Sequence, residues 1–136
     1  MIEKSNKNID ASLWNAYSES FFRFEAEWRV SNYAVITAWN PYSNLRSKKE
    51  ENSINNHALE KQLQHVNYAP VTVGDSAFTW YEESFAVELS PEVAVELASD
   101  FQQNAIYYVI NDQLYLIACS QPKVFHTLGS IKPRLV

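Results

Sequence analysis

The hydrophobic pattern changes period several times along the chain, and each change predicts a new element. Trp14, Tyr17, Phe21 and Phe24 recur at spacings of 3, 4 and 3, which predicts an amphipathic helix N-capped by Asp10. Its aromatic stripe reads as a docking face. Residues 27–39 (EWRVSNYAVITAW) read as extended, and the nearly unbroken apolar run from Tyr33 to Trp39 predicts an interior strand covered on at least one face. Asn40-Pro41 ends it, because proline has no ladder donor and restricts the residue before it. Ser47 and Glu50 stand at capping-box spacing, so a second helix is expected to run to about Val66. Its inward stripe is Asn52, Asn56, Leu59, Leu63 and Val66. Asparagines therefore hold the first inward positions, where leucines belong.

Beyond that helix the period returns to two. Residues 70–73 predict a short strand, Gly74-Asp75-Ser76 a turn, and residues 78–89 a longer strand. One face of the longer strand carries Tyr81, Glu83, Phe85, Val87 and Leu89, and the other carries Glu82, Ser84 and Glu88. Ser90-Pro91 starts a helix with Val93, Ala94, Leu97, Ala98 and Phe101 inward, and Gln103-Asn104 closes it. Residues 106–110 and 114–119 are strands joined by an Asn111-Asp112-Gln113 hairpin. The order from Tyr33 to Ile110 is β-α-β-β-α-β. It predicts an α+β fold with a ferredoxin-like split βαβ core, an N-terminal helix and an extra C-terminal edge strand. The expected organisation is a single domain over residues 1–136, with a helix and lead-in at 1–31, the core at 32–119 and an irregular basic tail at 120–136.

Charge narrows the partners. Residues 50–118 carry eleven acidic side chains against Lys61 alone, whereas residues 119–136 carry three basic ones and no acidic one. An acidic body argues against nucleic acid, since each phosphate contact needs a cation. The central-strand run Trp80-Tyr81-Glu82-Glu83-Ser84-Phe85 has the aromatics of an RNA-binding sheet with acids where the cations should be. The basic tail on an acidic body allows a homo-oligomer. No apolar run reaches the ~20 residues of a membrane span, and the N-terminal residues lack the apolar centre of a signal peptide. With the single Cys119, this points to the cytoplasm.

The two glycines, Gly74 and Gly129, leave no phosphate-binding glycine motif and no nucleophile elbow, and no cofactor is expected. His57 and His65 lie about 12 Å apart along one helix, too far to share a metal. What remains is an amide constellation. In the expected topology Asn40, Asn52, Asn56, Gln103 and Asn104 collect at one end of the sheet, with Glu83 nearby as the candidate acid or base. The competing reading is structural, because amides also cap helices and satisfy loop backbone.

Three stretches, Thr37-Ala38-Trp39-Asn40-Pro41, Glu51-Asn52 and Phe101-Gln102-Gln103-Asn104-Ala105-Ile106, resemble the bacterial family known as domain of unknown function 3293 over roughly residues 32–118. The resemblance implies a bacterial protein and brings no established activity. Relatives often carry a basic residue just after the Glu-Asn pair, where this chain has Asn55 and Asn56. The function expected is a non-catalytic binding module holding a small polar ligand or a partner's backbone. The alternatives are a protein–protein or homo-oligomerising module, and a hydrolase-like enzyme using Glu83.

Overall fold

The computed structural model describes residues 11–44 and 47–136, so the proposed Asp10 cap lies outside the described residues. In chain order the elements are α1 (Ala11–Ser18), β1 (Phe21–Phe24), β2 (Asn32–Ile36), α2 (Lys49–Lys61), β3 (Tyr68–Gly74), β4 (Tyr81–Val87), α3 (Pro91–Asp100), β5 (Ala105–Ile110), β6 (Gln113–Ala118) and β7 (His126–Ser130). All the strands join one sheet in the order β1-β3-β4-β2-β5-β6-β7, and every neighbouring pair is antiparallel. The sheet curls into a half-barrel. Its two edges approach each other through the C-terminal segment, where Leu135 bridges Phe22 and the Val136 N–H donates to the Phe22 carbonyl at 3.0 Å.

Both faces are covered, which explains the continuous apolar run of β2. Ala34 and Ile36 point into a cluster with Leu59, Phe85, Val87, Ala94, Ala98 and Ile106, under α2 and α3. Tyr33 and Val35 point the other way, into a cluster with Phe22, Val71, Val73, Tyr107, Leu116 and Ile131, packed by Trp14, Tyr17 and Trp28. As expected from its sequence, β2 is interior and pairs with β5 (Tyr33↔Val109, Val35↔Tyr107). The α2 stripe also falls where its spacing puts it, with Asn52, Asn56, Leu59 and Leu63 all buried.

The ferredoxin-like α+β expectation is overturned. The molecule is a seven-stranded curled antiparallel sheet carrying short helices, rather than a split βαβ core with one added edge strand. Two misread segments account for the difference. The spacing of Phe21 and Phe24 puts them on the N-terminal helix, but that helix ends at Ser18, whose hydroxyl bonds back to the Trp14 carbonyl at 2.8 Å. Residues 21–24 then pair with β3 (Phe21↔Gly74 to Phe24↔Val71) and bury Phe22 completely. Ladder bonds and that burial outweigh a helical spacing shared by only a few aromatics. The C-terminal residues expected to be irregular contain β7, which pairs with β6 across a register shift between Leu114 and Tyr115. Smaller shifts follow. The α2 box is built by Glu51, whose carboxylate accepts the Lys48 N–H at 3.2 Å, so α2 starts at Lys49 and ends at Lys61. In α3, Val93 is exposed and Val95 is buried. Among the described residues, no helix is long and apolar enough to cross a membrane.

Candidate functional site

The amides meet at the end of β2, as their positions in the sequence suggested, and each is engaged with the protein itself. Strand β2 leaves the ladder after Ile36, which strands the polar backbone of residues 37–40. Helix α2 satisfies it. The Asn56 Oδ1 accepts the Ala38 N–H at 2.8 Å, and the Asn52 Oδ1 accepts the Asn40 N–H at 2.9 Å. The Asn56 amide donates to the Glu83 carbonyl at 2.8 Å, and the Asn52 amide donates to the Asn40 Oδ1 at 3.1 Å. Gln103 donates to the Trp39 carbonyl at 3.0 Å, and Asn104 to the Ser43 Oγ at 2.9 Å. Asn40, Asn52 and Asn56 are buried. The inward phase of Asn52 and Asn56 on α2 thus replaces the missing strand neighbour.

Glu83 meets this cluster through its backbone. It faces α2, but its side chain is exposed and only its backbone carbonyl takes part, receiving Asn56 and the Thr37 hydroxyl (2.6 Å). Beside it lies a recess of about 300 Å³ lined by Asn56, His57, Glu60 and Glu83. Among the described residues no group of three or more His, Cys, Asp or Glu side chains is arranged to hold a metal ion.

The neighbouring residue, Glu82, occupies the other face of β4. On its β3 side it pairs with Val73. On its β2 side the strand has already turned away into the Asn40–Ser43 turn, and the Asn40 amide there donates to the Glu82 Oε2 at 2.8 Å. The turn holds that amide in an unusual backbone, with φ of 50° at Asn40, 54° at Tyr42 and 62° at Ser43. Asparagine tolerates the left-handed region; tyrosine in that region stores strain. Burial pushes the Glu82 carboxyl up to about 7, against which the Asn40 hydrogen bond favours the ionised form. The second carboxyl oxygen, Oε1, meets no protein donor among the described residues.

Glu82 lines a cavity of about 920 Å³ on this face of the sheet. Tyr17 and Ser20 from the end of α1, Phe21 of β1, Ser43 of the turn, Asp75 and Trp80 of the β3–β4 loop, Leu128 of β7 and Arg134 complete its wall. Each is fixed. Tyr17 and Ser43 join hydroxyls at 2.8 Å, so Asn104 reaches the wall through Ser43. Arg134 clamps the rim, donating from Nη1 to the Ser18 (2.7 Å) and Ser20 (3.1 Å) carbonyls and from Nη2 to the Leu128 carbonyl (3.2 Å). Beneath them Tyr107 is buried, donates to the Tyr17 carbonyl at 2.7 Å and is raised in pKa by its burial. The Asp75 carboxylate accepts the Thr79 and Trp80 N–H groups at 2.9 and 3.3 Å and shapes the loop. Gly74 permits that loop to close, since a Cβ there would lie 2.6 Å from the Trp80 carbonyl oxygen.

Sequence reasoning missed Glu82, Tyr17, Ser43 and Arg134 as members of one site. Period-two alternation does separate Glu82 from Glu83, but it places Glu82 on a face with Ser84 and Glu88 and gives that face no apolar partner. The signal that could have corrected this is the apolar content of residues 21–24 and 128–131, which needs a covered surface on that face.

Fold and cavity together define a curled antiparallel-sheet protein with one face roofed by its own terminal segments. The family model described as "Protein of unknown function (DUF3293)" matches residues 36–106, more than half of the chain, and the chain belongs to this family. No curated protein and no solved structure matched. The matched segment includes the amide cluster and Glu82, while α1, β1, β7 and Arg134 lie outside it.

Proposed function

We propose that this chain is a small-molecule-binding module whose site is the Glu82 cavity, with the amide end as its supporting wall. The carrying observation is a carboxyl on an interior strand that lines a large cavity, with one oxygen held by Asn40 and the other without a protein donor among the described residues. A buried carboxyl without full compensation is unfavourable in the free protein, and a ligand that completes its bonding relieves that penalty. The strained turn that presents Asn40 and Ser43 supports the same reading, because such backbone persists where the surroundings over-determine it. The cavity's size suits a ligand of drug-like dimensions, and Phe21, Trp80, Leu128 and Pro133 supply apolar wall.

A fragment screen followed by amide NMR tests this. Shifts converging on Tyr17, Ser43, Trp80 and Leu128 are expected, and their loss when Ala16→Trp fills the cavity. Shifts confined to His57, Glu60 and Glu83 would contradict the assignment.

A further inference from the structure

Resting on that reading, we infer that the ligand is a cation, a molecule with an apolar or aromatic body and a protonated amine that pairs with the Glu82 Oε1. Among the described residues the charged side chains on the cavity wall are Glu19, Asp75, Glu82 and Arg134, so with Glu82 ionised the described wall is acidic by two charges. The one cation among them is already directed elsewhere, its Nη1 and Nη2 groups donating to the Ser18, Ser20 and Leu128 carbonyls. Three of its five N–H donors are thereby held in the clamp that joins the α1–β1 connection to β7, which leaves Arg134 a weaker partner for an anion than a free guanidinium. An ammonium needs no rearrangement, because Glu82 keeps Oε2 on Asn40 and offers Oε1. Charge-assisted N–H···O bonds to carboxylate are among the stronger polar contacts, and more so where water is excluded. The aromatic wall adds to this, since the face of a tryptophan such as Trp80 attracts a cation as well as an apolar body.

Three probes with the same aromatic ring and different heads separate the possibilities: 2-phenylethylamine, 2-phenylethanol and 3-phenylpropionate, titrated into the protein and followed by amide NMR. The amine is expected to bind about tenfold or more tightly than the alcohol, with the carboxylate weakest. In Glu82→Gln the amine is expected to fall to the affinity of the alcohol, while the alcohol's own shifts at Trp80 and Leu128 persist and show that the cavity is intact. Equal binding of amine and alcohol to the wild type, or preference for the carboxylate, overturns the cationic ligand and leaves the cavity reading standing. If none of the three shifts the cavity resonances, both readings fall. The wild-type comparison needs no variant, so it decides even if Glu82→Gln does not fold.

Discussion

The end of β2 and the Glu82 cavity are built from adjacent residues and use polar groups in opposite ways. At the β2 end Asn52 and Asn56 each accept one backbone N–H and donate once more, so both sides of the amide are bonded to protein. On the cavity wall, Glu82 has one oxygen bonded and one without a protein donor among the described residues. Buried polar groups in a finished structural network are satisfied, and an exception needs its own explanation. The comparison separates the two roles that the sequence left merged. The amides repair a strand that ends early, and the carboxyl is what the repaired turn presents.

The largest expected effect falls on the repair side. Asn52→Ala removes the acceptor of the Asn40 N–H and the donor to Asn40 Oδ1, and urea denaturation is expected to show a loss of about 2–4 kcal/mol. A neutral result would break the contrast, since it would make Asn52 dispensable to the fold. Glu82→Gln is expected to act with the opposite sign. A carboxyl raised to about 7 when folded holds its proton where the unfolded chain has lost it, so stability is highest below the unfolded value and declines as pH rises to the folded one. The substitution is therefore expected to stabilise by roughly 1–3 kcal/mol at pH 8 and by little at pH 4. Guanidinium melts at the two pH values check it, and equal effects at both would mean that ionisation of Glu82 is not the cause. The smallest effect belongs to Glu83→Gln, whose side chain is exposed. It is expected to change stability by less than about 0.5 kcal/mol at either pH. A pH-dependent gain like that of Glu82→Gln would show that the strand alternation is assigned backwards.

How far the sequence carried this account depended on whether a residue's role was local. The β2 strand, the α2 stripe and the Asn111-Asp112 turn, with φ of 47° and 70°, follow from periodicity and turn chemistry within a few residues. The amide cluster followed too, because strand end, helix start and helix end are all marked in the sequence. The half-barrel was not legible. Phe21–Phe24 has the spacing of a helix and the alternation of a strand, and only pairing with Val71–Gly74, about fifty residues later, decides between them. Arg134 likewise acquires its role from the carbonyls of Ser18 and Ser20 at the other end of the chain. Once those segments cover the second face, Glu82 becomes half-buried and Glu83 remains at the surface.

The central claim is that Glu82 is a buried carboxyl held beside an open cavity. A carbon-13 NMR titration of the glutamate side-chain carboxyls, with the Glu82 signal assigned by its absence in Glu82→Gln, tests it most directly. The account predicts a Glu82 midpoint near 7. A midpoint at the ordinary glutamate value, about 4.3, would show a solvated carboxylate and contradict the site.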